Sequence, residues 1–224
     1  MANAIVVALR VTLFTLALTG LAYPLAATGL SQLLFHAKAN GSLVELNGKV
    51  VGSELIGQAF SNPGYFQPRP SAAGEKGYDA TSSSGSNLGT TSQKLKDRIS
   101  QDLTRLKKEN AAAPDDVPDE LVTASASGLD PHLSPEAAGW QIARIARTRG
   151  VAPERIRLTL EAHIEGRDLG LLGEPRINVL TLNLAMDKQF GQPPEPPPPA
   201  LQGSANPASG SPPVPGSVVP APHP

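Results

Sequence analysis

Ser125, Ser127, Asp130 and His132 crowd into one stretch, Leu121–His132, and these are residue types that can do chemistry. A serine, a histidine and an aspartate suggest a hydrolytic triad. A triad, however, needs nucleophile, base and orienter in separate geometric roles, and three residues within one turn do not supply them. Asp130 with His132 offers two metal ligands, too few to specify an ion. The Ser/Gly-rich run at 82–89 is followed by no Gly-Lys-Ser/Thr, so it is not a phosphate-binding P-loop. No Asp-Lys-Thr-Gly run is present to carry an aspartyl-phosphate, and there is no cysteine for a disulfide or thiolate site. The residues therefore predict no catalytic centre, no metal site and no covalently bound cofactor.

The same stretch reads better as a shaped loop. Ser125, Ser127 and Asp130 are residues that bond their own backbone, and Gly128 permits positive φ. Asp130 precedes Pro131, which pushes its backbone out of the helical region. A loop of this kind is either a turn into the next helix or a surface that positions something.

The elements that must hold this loop follow from pattern. The 19 basic and 20 acidic residues leave a formal charge of −1, so no global field draws the chain to nucleic acid. Residues 11–35 carry no charge. As a helix these would span about 37 Å against a hydrocarbon core of ~30 Å. Pro24 kinks or ends that helix, so the membrane span is expected near Val7–Gly29. A cleaved signal peptide is the competing reading, but the apolar run continues to Phe35, too long for such a segment. Arg10 and the terminal amine flank one end, and His36 and Lys38 the other. This balance gives only a slight preference for an outward-facing soluble domain.

Leu43–Leu46 and Lys49–Val51 flank Asn47-Gly48, a favoured hairpin turn. Gly52–Gln58 is expected to turn into a brief helix, and residues 61–92 to be loop. Tyr65, Phe66 and Tyr78 require that loop to pack on something. Helices are expected from Ser92 to Lys108, from Ser134 to a Gly150 cap, and from Pro153 to Ile164. The first of these carries one apolar stripe, Leu95, Ile99, Leu103 and Leu106. Arg144, Arg147 and Arg149 sit where a helix dipole favours cations. Gly166–Pro175 reads as turns, and Asn178–Lys188 as a capped helix in preference to a strand. After Gly191 lie 13 of the 23 prolines, a composition expected to stay unstructured. The organisation is thus a 1–35 anchor, a 36–190 soluble domain and a 191–224 Pro-rich tail. The fold class is α+β, a mixed α/β domain behind a single transmembrane helix. One anchor and a shaped, non-catalytic domain suit a protein that docks on a larger membrane complex.

Several segments, in order, resemble one family. They are Leu21-Ala22-Tyr23-Pro24, Gly52–Gln58, Tyr65-Phe66 with Arg69-Pro70-Ser71, and Ser84-Gly85-Ser86-Asn87. They continue with Leu121–His132, Ala137-Ala138 with Gln141–Ala146, and Gly173–Leu180 with Leu182-Asn183-Leu184. Over Ala4–Lys188 the chain resembles the C subunit, or KdpC family, of the Kdp potassium-transporting P-type ATPase. The Pro-rich tail lies outside the resemblance.

That resemblance implies an accessory subunit of an ATP-driven, high-affinity potassium uptake complex in the inner membrane. Its implied partners are a potassium-selective channel-like subunit, the P-type ATPase subunit and a small hydrophobic subunit. It implies a role in assembly, and a catalytic-chaperone role that raises the ATP affinity of the ATPase subunit. ATP is then the only nucleotide to consider, and it is reached through the complex. By this analogy Ser125, Ser127, Gly128, Asp130 and Gln141 are candidates for nucleotide or partner contact. Arg69, Ser71, Ser86, Asn87, Asn178 and Asn183 are structural or interface candidates. An outward-facing domain on the periplasmic side would act on ATP affinity indirectly, by preferring one conformation of the complex. Direct contact ranks second. The alternative class is a membrane-anchored extracytoplasmic enzyme or binding domain that uses Ser125–His132.

Overall fold

The computed structural model describes residues 2–195. The chain opens with α1 (Ala2–Ala17), a π-helical turn at Leu18–Ala22, and α2 (Tyr23–Leu34). Together they make one apolar helix, Asn3–Leu34, long and apolar enough to cross a membrane, and none of it is buried by the other described residues. The helix runs through Pro24 and does not end there. The wider turn just before the proline absorbs the residue that cannot donate a hydrogen bond, with Tyr23 N–H reaching back to the Leu18 carbonyl.

A short α3 (His36–Ala39) leads to β1 (Leu43–Leu46) and β2 (Lys49–Ser53), an antiparallel hairpin. Asn47 (φ 52°) and Gly48 (φ 74°) both adopt positive φ, as the Asn-Gly turn requires. The helix expected at Gly52–Gln58 does not form. Ser53 Oγ accepts from Leu55 N–H at 3.1 Å and donates to the Gly41 carbonyl at 2.7 Å. The serine thereby closes a turn and competes with helix.

Residues 54–92 are irregular, an outcome the composition predicts for 61–92 but not for 54–58. They run to α4 (Gln93–Glu109), which Ser92 caps through Leu95 N–H. A single 3₁₀ turn at Asp119–Leu121 precedes the loop into β3 (His132–Leu133). The expected helix from Ser134 to Gly150 is two helices, α5 (Pro135–Trp140) and α6 (Ile142–Arg149). They break at Gln141, whose N–H bonds back only three residues, to Ala138. At that break the Trp140 carbonyl accepts from the Asn110 side chain at 2.7 Å. Gly150, at φ 64°, ends α6 in the left-handed cap its position predicts. Then come α7 (Pro153–Glu161), β4 (Ile177–Asn178) and α8 (Val179–Phe190). Asn178 caps α8, so the helical reading of this stretch holds.

Among the described residues there are two sheets of two strands each, and β3 pairs antiparallel with β4 through His132–Asn178 and Leu133–Ile177. The sheet content is thus smaller than the α+β expectation suggests. Helices α5 to α8 surround one core containing Phe66, Leu133, Ile145, Ile156, Ile177, Leu182 and Met186. Burying each such side chain contributes roughly 1.5–3 kcal/mol. Trp140 joins this core, with its indole N–H on the Pro114 carbonyl at 3.0 Å. The expectation of an unstructured tail concerns mostly residues 196–224, outside the described residues. The tail's first residues are fixed to the domain, since Asn62 Nδ2 donates to the Pro194 carbonyl at 2.9 Å.

Candidate functional site

The loop before β3 is held from within and from outside. Ser125 is buried, and its Oγ accepts from Gly128 N–H at 2.8 Å and lies 3.2 Å from Ser127 Oγ. Ser127 Oγ accepts from Leu129 N–H at 3.1 Å. Asp130 accepts from His132 N–H at 3.0 Å and pairs with Arg69 at 3.4 Å. Its carboxyl is held below the usual carboxylate value by His132 first and by Arg69 after that, against the opposing effect of burial.

The long irregular segment then wraps onto this loop. Ser71 Oγ donates to the Gly128 carbonyl at 2.6 Å and accepts from Ala73 and Tyr78 N–H. Tyr78 donates its hydroxyl to the Arg69 carbonyl, and burial pushes its phenol up to about 12. Ser83 Oγ reaches the Ser127 carbonyl at 2.9 Å, and Gly57 N–H reaches the Leu129 carbonyl at 2.8 Å. Gly128 is irreplaceable on two counts. It sits at φ +70°, and a Cβ there would lie 2.5 Å from the Ser84 carbonyl oxygen. Ser86 is half-buried and Asn87, at φ 49°, is exposed. Ser86 lines a groove with Lys94 and Arg98 of α4.

A second cluster grips residues 62–67. Gln141 Oε1 accepts from Gln67 N–H at 2.8 Å, and its Nε2 donates to the Gln67 carbonyl at 2.9 Å. Asn183 does the same for Phe66, at 2.9 and 3.0 Å. Two buried side-chain amides thus stand in for a neighbouring strand. Asn178 Nδ2 similarly holds the Glu54 carbonyl at 2.7 Å.

Two arginines complete the grip, and the helix-dipole reading does not account for them. Arg144 is buried, donates to the Pro63 carbonyl and reaches Gln141 Oε1 at 2.7 Å. Burial pulls its guanidinium down to about 10. Arg149 reaches the Gly64 and Gly191 carbonyls and pairs with Asp187 at 2.9 Å. Asp187 also accepts from the Tyr65 hydroxyl at 2.7 Å. The partners of Arg144 and Arg149 among residues 63 and 64 lie about eighty residues away, so no local pattern could have signalled them.

Gln141 also lines a cavity of about 270 Å³ with Phe60, Gln67, Tyr78, Arg105 and Leu106, and residues 125–130 do not line it. The structure therefore separates Gln141 from the loop with which it was grouped. Small-molecule sites usually enclose roughly 300–1,000 Å³.

Residues 5–188 match the family described as KdpC: K+-transporting ATPase, c chain. The chain belongs to the KdpC family. Curated relatives agree along nearly their whole length. The chain is similar to the potassium-transporting ATPase KdpC subunit of Myxococcus xanthus, 60% identical over 206 residues, 92% of this chain and 97% of that one. It is 50% identical over 183 residues to the KdpC subunit of Koribacter versatilis, covering 82% of this chain and 93% of that one. It is 53% identical over 186 residues to the KdpC subunit of Methylobacterium nodulans, covering 78% of this chain and 92% of that one. The KdpC match takes in nearly all of the apolar helix, the candidate loop, the Gln141 and Asn183 clamps and α8 as far as residue 188. It ends at residue 188, before the proline-rich segment.

Proposed function

We propose that this chain is the accessory subunit of an inner-membrane, ATP-driven potassium uptake complex, anchored by Asn3–Leu34 with its folded domain on the outer face. Its partners are the channel-like subunit, the P-type ATPase subunit and a small hydrophobic subunit. It raises the ATP affinity of the ATPase subunit without touching ATP. One observation carries the preference for an indirect role. The polar side chains of the candidate loop, and the Gln141 amide, are already engaged with the chain's own backbone. Such a loop offers a fixed shape to a protein neighbour, and no free set of groups to a nucleotide.

A domain that favours one conformation of the complex changes nucleotide affinity by linkage alone. A tenfold gain needs a differential of about 1.4 kcal/mol between conformations. That is the size of a modest contact made in only one state.

The test is sidedness. Ser127 is exposed and the chain has no cysteine, so Ser127→Cys gives a single label site. A membrane-impermeant maleimide is expected to label it in intact cells with a permeabilised outer membrane. Labelling only in inverted vesicles would place the loop in the cytoplasm and overturn the proposed topology.

A further inference from the structure

Between α7 and β4 the chain forms an arm, residues 164–176. At its base Glu165 and Arg176 exchange backbone hydrogen bonds at 2.8 and 3.0 Å, and further out Asp168 and Leu172 do so at 2.9 and 3.0 Å. Ion pairs brace it sideways: Arg176 to Glu165 at 3.1 Å and to Asp168 at 3.3 Å, and Arg167 to Glu174 at 2.7 Å. The arm is thus a small pinned hairpin.

Its tip is apolar. Leu169 is 91% exposed, Leu171 81% and Leu172 63%. Single exposed leucines are ordinary, but three within four residues on a pinned turn form a presented surface. The backbone supports this reading independently. Leu169 sits at φ 54°, followed by Gly170 at φ 75°. The first of two left-handed turn positions normally goes to Asn, Asp or Gly. A leucine there keeps an apolar side chain at the apex against local preference.

We infer that this arm inserts its leucine tip into an apolar pocket on another protein subunit of the same membrane complex. The inference rests on the reading of the chain as a subunit of such a complex. The arm's chemistry favours protein over lipid. Both of its cations are paired within the arm, and three carboxylates against two guanidiniums leave it at −1. No free cation remains for phosphate headgroups, and residues 164–177 contain no aromatic. Surface-lying membrane segments are rich in Lys and Arg, and aromatic residues are enriched at the membrane interface. The size favours a pocket over a second copy of this chain. A stable pair of free proteins needs roughly 800 Å² buried on each side, far more than three leucines supply. A chain already tethered beside its partner needs much less, because the tether sets a high effective concentration.

The test uses the full chain expressed with its complex. A benzophenone amino acid is placed at position 169, and at exposed Lys107 on α4 as a control. Irradiation is expected to join position 169 to a different protein chain, with no such product from position 107. A product with lipid alone, a product with a second copy alone, or no product while the chain still co-purifies with its complex would each overturn the inference. The accessory-subunit reading would survive those results. Failure to co-purify with any partner would sink both.

A second variant separates docking from folding. Leu169→Gly suits the left-handed backbone, so its thermal midpoint is expected to hold or rise. Combined with Leu171→Ser and Leu172→Ser, it is expected to lower retention in the complex roughly thirtyfold, the scale of a truncated hot spot. Unchanged retention of that triple variant would overturn the inference.

Discussion

The Gln141 side chain matches both backbone groups of Gln67, and its oxygen also meets Arg144 Nη2. Gln141→Leu keeps the volume and removes every polar partner. Gln67 would lose both bonds, and a buried guanidinium would lose an acceptor. Unpaired buried groups cost more than the hydrogen bonds themselves contribute, so the expected loss is about 2–4 kcal/mol. Denaturant unfolding of the full chain in detergent measures it. A loss below about 0.5 kcal/mol, typical of an uninvolved surface position, would show that the clamp is dispensable. Gln141 would then be free for a ligand, and the case for indirect action would weaken. Asn183, which treats Phe66 identically, provides the matched second site.

At the scale of elements, close backbone contacts do the work that wide sheets do elsewhere. Gly128→Ala would set a Cβ 2.5 Å from the Ser84 carbonyl oxygen and 2.8 Å from Ala73 N, both backbone atoms that cannot swing aside. Gly173 also has positive φ, at +78°, but no atom of the described residues lies within 4 Å of its would-be Cβ. The expected costs are about 3 kcal/mol or more for Gly128→Ala and about 1 kcal/mol for Gly173→Ala. Equal costs, read from unfolding midpoints, would mean that residues 71–85 do not pack on the loop as described. The contrast also explains what the sequence could disclose. The Asn47-Gly48 hairpin, the Ser92 cap, the Gly150 stop and the Asn178 cap are local devices, written within a few residues of where they act. The break at Gln141 was not legible, because Gln67 and Asn110, which bond on either side of it, lie far away in the chain. The turn at Gly52–Gln58 was missed because Ser53 binds Gly41, an alternative to helix that local propensity does not show. Ser125, Ser127 and Gly128 were legible as a shaped loop. That residues 57, 71 and 83 close around it was not.

At the scale of the whole molecule, the apolar helix and the folded domain are energetically separate. Among the described residues, no part of Asn3–Leu34 is buried, and the domain's core draws on none of its residues. Removing residues 1–35 is therefore expected to leave the domain's unfolding free energy within about 0.5 kcal/mol of its value in the full chain, as for distant independent sites. Association should behave quite differently. A short tether holds a domain near its docking surface at an effective concentration of roughly millimolar. Without it, micromolar domain added to membranes that lack this subunit should restore little potassium-dependent ATPase activity. Millimolar domain should restore much of it. The two ways of failing are informative. Full restoration at micromolar levels would mean that the domain binds tightly by itself and the helix adds only location. No restoration at any concentration would mean that the helix makes specific contacts of its own, and its run of small residues, Ala4, Ala8, Thr15, Thr19, Ala22 and Ala26, is where another helix could approach closely. The domain as described, with its exposed leucine arm and no buried tie to the helix, leads us to expect the concentration-dependent result.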